Sequence, residues 1–192
     1  MLENVQTLRK IGRPAMELVG GIEKREIILA EYDPAWPEKF EVHRGIIAGA
    51  LGATAFRVEH IGSTSVKGLA AKPIIDILVV VKDSAHEHAY LPQLEAAGYL
   101  LRVREPEWNQ HRMLRTPEKD VHVHIYSAGC AETERNVRFR DRLRTHAEDR
   151  QRYEQTKRAL ARMDWPDTNA YANAKSEVIE SILSGARRSG ML

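Results

Sequence analysis

The stretch His60-Ile61-Gly62-Ser63-Thr64-Ser65-Val66-Lys67-Gly68-Leu69-Ala70-Ala71-Lys72-Pro73-Ile74-Ile75-Asp76 sets the fold of this chain. It puts a loop of small and hydroxyl residues between two apolar runs. The second run, Ile74 to Val81, is interrupted by one carboxylate, Asp76. A buried charge is costly unless it is paired or holds a metal. A Gly/Ser/Thr loop presents backbone N–H groups and hydroxyls of the kind that accept phosphate oxygens. The spacing therefore predicts a phosphate-and-metal site between two strands.

Working outward, Phe56–Ile61 alternates and reads as a strand entering the loop, and Pro73–Val81 reads as a strand covered on both faces. Upstream, Asp33-Pro34 marks a turn, Pro37 suits a first helical turn, and Gly52 stops the helix. Glu26–Ala30 reads as a short strand. Residues 1–25 form an N-terminal appendage in this reading, with a short helix over 14–19. Downstream, 84–97 is expected to be helical and capped by Gly98. Short strands are expected at 99–103 and 112–114. Val121–Tyr126 puts Val121, Val123 and Ile125 on one face and His122, His124 and Tyr126 on the other. From Thr133 onward the pattern is helical, with a break at Asp164-Trp165-Pro166-Asp167 and another near 145–148. The expected architecture is α+β: a mixed core over 26–130 with four or five strands, and a C-terminal helical part over 131–192 packed on it.

The composition bounds the rest. The 192 residues suffice for one well-buried domain, and 43% apolar with 29% charged residues is ordinary for a globular protein. No apolar run approaches the ~20 residues of a membrane span. The single cysteine excludes an internal disulfide and suits a reducing cytoplasm. A net charge of +2 and 6% aromatic residues argue against nucleic acid as partner. A homodimer is compatible with the sequence.

Three groups carry candidate chemistry. Gly62, Ser63, Thr64 and Ser65 are candidate phosphate contacts. Asp76 is a candidate metal ligand. Lys72, held extended by Pro73, is open between a phosphate-binding cation and the partner of Asp76. His122 and His124 share a strand face and are candidate metal ligands or bases, with His60 joining them if its strand is adjacent. Asp76 with two imidazoles suits Mn²⁺, Fe²⁺ or Zn²⁺ better than Mg²⁺. Arg138, Arg140 and Arg144 lie in a basic helical run suited to clamping an anion, or to pairing with Asp141. Tyr153/Lys157 and Tyr171/Lys175 repeat one spacing. Its simplest reading is packing, with Lys175 also able to reach a ligand.

These residues resemble the GrpB family, grouped with nucleotidyltransferases of the DNA polymerase beta-like superfamily. The likeness runs over about 27–186. It is carried by Tyr32-Asp33-Pro34 with Trp36, by the 59–77 stretch, by His122-Val123-His124, by Phe139-Arg140-Asp141 and by Tyr153, Lys157, Tyr171 and Lys175. A similar domain is fused to dephospho-coenzyme A kinase in some bacteria. The resemblance implies a nucleotidyltransferase-like mixed sheet with flanking helices. In it Gly62 and Ser63 would touch phosphates and Asp76 would hold a divalent metal, Mg²⁺ or Mn²⁺. The sequence departs from that pattern at Leu78, where a second carboxylate is expected, and at His122 and His124, near where a third would fall.

The leading expectation is a metal-dependent transferase moving a nucleotidyl group from a nucleoside triphosphate to a small acceptor. Two others stand beside it. One is an Asp/His/His metal site performing hydrolysis or condensation. The other is a non-catalytic module for a nucleotide, a coenzyme A-like molecule or another phosphorylated small molecule.

Overall fold

A computed structural model describes residues 5–188, apart from 11, 12 and 25. At its centre is β4 (Ile75–Val81), whose side chains are buried on both sheet faces except for half-exposed Asp76. β4 pairs antiparallel with β3 (Arg57–Ile61) and parallel with β7 (Val121–Ser127). Beyond β7 come β6 (His111–Arg115), β5 (Leu100–Glu105), β2 (Arg13–Val19) and β1 (Val5–Lys10). The sheet therefore has seven strands in the order β1-β2-β5-β6-β7-β4-β3, mixed because β4–β7 is parallel and every other pairing antiparallel.

One face is the apolar core. α1 (Ala35–Leu51) starts at an Asx turn, with Asp33 Oδ1 accepting from the Ala35 N–H at 2.8 Å. It ends at Gly52, whose φ of 51° lies in the left-handed region. Its Trp36, Phe40, Ile47 and Leu51 pack with α2 (Leu91–Ala96) on the inward residues of β4 and β7, among them Ile77, Val79, Val123 and Ile125.

The other face carries the C-terminal helices over β3 and β4: α3 (Ala131–Thr145), α4 (Ala147–Ala161), α5 (Thr168–Ala174) and α6 (Ser176–Arg188). Val137 of α3 packs on Leu78, Val80 and Tyr126. Leu143, Tyr153 and Ile182 enclose Val66 and Leu69 of the loop after β3. The fold is α+β, with helices flanking a mixed sheet and a helical C-terminal part. Among the described residues, no helix is long and apolar enough to cross a membrane.

Several sequence expectations are corrected. Residues 14–19 form strand β2, not a short helix, and the segment expected as an appendage supplies the sheet edge through β1 and β2. The expected strand over 26–30 shrinks to one bridge, Ala30 with Ala71. The helix expected over 84–97 is a 3-10 turn at Glu87–Ala89 followed by α2 alone.

Candidate metal and anion site

The site follows from strand register. Asp76 on β4 lies opposite His122 on β7, and Leu78 lies opposite His124. Side chains two residues apart share a face, so Asp76, His122 and His124 converge on the helix-covered side of the sheet. The Asp76 Oδ1 atom is 3.6 Å from His122 Nδ1 and 3.5 Å from His124 Nε2. One donor atom from each residue falls within a 4.8 Å spread, a geometry that one cation can bridge. Burial works to raise the Asp76 carboxyl. Hydrogen bonding, to His122 first, outweighs it and holds that carboxyl far below the usual carboxylate range. Burial lowers His122 below its ordinary value, although Asp76 pulls the other way.

Gly62 explains the loop. Its φ is 70°, and a Cβ built there would lie 2.4 Å from Asp76 Oδ2. Only glycine lets the backbone approach the carboxylate this closely. Ser63–Ser65 then form a 3-10 turn. The Ser65 hydroxyl donates to Gly62 O at 2.6 Å, and the Thr64 hydroxyl donates to Ile74 O at 3.1 Å. Those two hydroxyls brace the loop, while Gly62, Ser63 and Thr64 face a cavity of about 410 Å³. Asp76, His122 and His124 line the same cavity.

The facing wall of the cavity is cationic. Lys72, Lys157 and Lys175 all border the cavity together with Tyr171. The Lys175 and Lys72 ammonium groups lie 4.8 Å and 5.3 Å from the Tyr171 ring centre. Lys157 is 1% exposed, donates to Ala70 O, and is pushed down to about 7, chiefly by burial and then by Lys175. Burial also lowers Lys175. The Tyr171 hydroxyl is buried with no hydrogen-bond partner among the described residues.

Two groups of expected residues lie elsewhere. His60 does not join the metal group. It is opposite Ile77 on the core face, stacked on Phe40 at 4.7 Å, with Nε2 donating to Thr64 Oγ1 at 3.1 Å. Burial lowers it to about 4. The arginine cluster does not line the cavity. Arg140 donates to Glu59 at 2.6 Å and to His60 O at 3.0 Å, and Arg144 donates to Ser65 O at 2.9 Å. Both clamp the loop from behind, and Arg138 is exposed. A long cationic side chain on a helix declares its charge in the sequence but not its direction.

Residues that the sequence reading passed over stand close to the site. His111 Nε2 is 3.0 Å from His124 Nδ1, and His111 Nδ1 is 2.8 Å from Glu105 Oε2. The signal was present in part. Glu105 and His111 close a hairpin, and His111 and Met113 continue the alternation that puts His124 on this face. Lys157 was legible as a lysine at helical spacing, though not as a buried one.

A small-residue loop pressed against an Asp/His/His group on a mixed sheet, with lysines on the facing wall of the cavity, defines an α+β protein with a candidate cation site beside a cationic wall. The comparisons place it further. The profile of the GrpB protein family matches residues 26–185, and the chain belongs to that family. It is 49% identical to a UPF0157 protein of Halalkalibacterium halodurans over 83% of this chain and 82% of the relative. Identity to a UPF0157 protein of Streptomyces coelicolor is 54% over 89% of this chain and 90% of the relative. The crystal structure of conserved protein GrpB from Enterococcus faecalis superposes with a TM-score of 0.67 at 34% identity, covering 80% of this chain and 98% of that one.

Proposed function

We propose that this protein is a metal-dependent transferase that binds a nucleoside triphosphate and passes its nucleotidyl group to a small acceptor. The observation that carries the reading is the shared cavity. The Asp76/His122/His124 group and the Lys72/Lys157/Lys175/Tyr171 wall border one space of about 410 Å³. A divalent cation and a polyphosphate are the pair of ligands whose charges suit those two walls. The resemblance to polymerase beta-like nucleotidyltransferases supplies the nucleotide.

The donor set fits a divalent metal. It offers one carboxylate oxygen and two imidazole nitrogens, which favours Mn²⁺, Fe²⁺ or Zn²⁺ over Mg²⁺. The metal would be held by Asp76, His122 and His124 and would supply Lewis-acid polarisation of a phosphoryl oxygen. The chain's own residues do the rest. Gly62 and Ser63 bring the loop backbone against the phosphates. Lys72 and Lys175 neutralise them, and the Tyr171 hydroxyl donates to an oxygen that replaces its missing partner. Tyr126 and Trp108 line the cavity beside the histidines.

Calorimetric titration with Mn²⁺ and a non-hydrolysable triphosphate tests this. The expected result is triphosphate binding that needs the metal, loss of both in Asp76→Ala, and loss of triphosphate alone in Lys175→Met. Triphosphate affinity unchanged by metal and by both substitutions would overturn it. One observation favours a second reading. Leu78, the next residue on this face of β4, is fully buried against Val137, so that strand holds no second carboxylate. A single-metal site of this kind suits hydrolysis or condensation. Tight Zn²⁺ binding with no triphosphate affinity would select it.

A further inference from the structure

Behind the three candidate ligands runs a buried chain of polar side chains that metal binding does not itself require. We propose that Glu105 and His111 are positioning residues that fix the tautomer of His124, so that its Nε2 lone pair faces the cavity. The proposal rests on the metal reading of Asp76, His122 and His124.

The geometry runs in one direction. Glu105 sits at the end of β5 and His111 at the start of β6, paired across the hairpin. Each is 5% exposed. The carboxylate can only accept a hydrogen bond. At 2.8 Å it accepts a hydrogen bond from His111 Nδ1–H. A neutral imidazole has one donor and one acceptor, so His111 Nε2 must accept. Its neighbour at 3.0 Å is His124 Nδ1, which must therefore carry the hydrogen. That leaves His124 Nε2 with a bare lone pair, at the atom that lies 3.5 Å from Asp76 Oδ1. The competing tautomer would put the hydrogen on Nε2, aimed at Asp76 over the longer separation, and would block a cation. The shorter contact favours the first arrangement.

Packing holds the accepting ring in place. His111 stacks on Tyr126 with centroids 4.8 Å apart, and Trp108 meets its edge at 5.7 Å, while the His111 and His124 rings lie within 15° of one plane, as an in-plane hydrogen bond requires. A ring held by Tyr126 and Trp108 resists the turn that would exchange its nitrogens. Carboxylates and carbonyls that hold ligating histidines in this manner are worth about 10–100-fold in metal affinity.

The test reads the tautomer directly and without metal. In the full-length, EDTA-treated, ¹⁵N-labelled protein at pH 8, long-range ¹H–¹⁵N spectra should show His124 protonated at Nδ1 and His111 likewise. In His111→Phe, which keeps the ring stacking and removes the acceptor, the His124 signals should move to a mixture of tautomers. Zn²⁺ affinity by calorimetry should fall about 10–100-fold in that variant and in Glu105→Gln. Asp76→Ala should lose Zn²⁺ binding while keeping the Nδ1–H signature. A wild-type His124 protonated at Nε2, or an unchanged tautomer and Zn²⁺ affinity in His111→Phe, would sink the proposal. Full Zn²⁺ binding by Asp76→Ala would instead sink the metal reading and leave the tautomer result standing. Should His111→Phe fail to fold, the wild-type spectrum decides alone.

Discussion

Gly62 concentrates the constraints of the site in one residue. Its backbone lies in the left-handed region, and its missing side chain makes room for Asp76 Oδ2. An added methyl group would meet that oxygen at 2.4 Å, with the Asp76 Cβ at 3.0 Å, so the carboxylate or the strand must shift. Gly62→Ala is expected to lower Tm and to weaken divalent-metal binding at least tenfold, measured by thermal melting and by Zn²⁺ titration. A control separates the site from the general behaviour of glycine. Gly45 and Gly49 sit inside α1 on exposed positions, and a Cβ at either meets nothing within 4 Å. Alanine there replaces the poorest non-proline helix former with the best, for about 1 kcal/mol each. The double variant should melt higher by about 2–4 °C per kcal/mol and bind metal as the parent does. A fall in Tm for the α1 pair would refute this account of helix stability.

At the scale of elements, the segment between β2 and α1 ties the sheet edge to the site. Arg115 on β6 grips Glu23 with both guanidinium nitrogens, at 2.7 and 2.9 Å. Arg115 also faces His122 across the β6–β7 ladder. Hydrogen bonding to Arg115 holds Glu23 at about 2, against an ordinary value of 4.5. A depressed carboxyl stabilises the fold fully above its unfolded value and loses that contribution as pH falls towards its folded value. Arg115→Met should therefore lower Tm at pH 6, and the gap to wild type should narrow as pH falls to 3. A gap that stays constant with pH would mean that Arg115 acts through packing alone. The elements also show what the sequence revealed and what it hid. β7 was legible because His122, Val123, His124 and Ile125 alternate without exception, and period two reports one covered face. β4 was legible as an apolar, β-branched run. The β1–β2 pair was hidden because Pro14 reads as a breaker. Among the described residues β2 pairs with β5 at Glu17 and Leu18, so Pro14 costs no ladder bond to that neighbour there. The arginines singled out on α3 lie off the cavity for a related reason: periodicity assigns a helix face, and only tertiary packing says what that face meets.

At the scale of the whole molecule, the site is a meeting of distant segments. The loop after β3, the β4–β7 pair, the β5–β6 hairpin and the α4–α6 helices each supply part of one cavity. Sequence motifs located the loop, Asp76 and the histidine pair. The parallel pairing that sets Asp76 against His122 spans 46 positions, and no local pattern encodes it. Lys157 shows what such assembly costs. It is 1% exposed, beneath the loop on the cavity wall, and is pushed down to about 7 by burial and by Lys175. An unfolded lysine titrates near 10.5. Between those values the unfolded chain binds more protons, so stability rises with pH across that window, and below about 7 the full penalty applies. Lys157→Met keeps most of the buried stem and removes the charge, at the loss of the hydrogen bond to Ala70 O. A charged buried group with incomplete pairing costs more than one such bond returns. The variant should therefore melt about 2–4 °C higher at pH 7, an advantage that shrinks as pH approaches 10. It should also bind a triphosphate analogue more weakly at pH 7. If Lys157→Met lowers Tm at pH 7, the lysine is a structural strut for Ala70. If it raises Tm and leaves triphosphate affinity intact, the cationic wall does not serve the anion. A rise in stability with a loss of ligand is the pattern expected of a residue kept for binding at the expense of the fold.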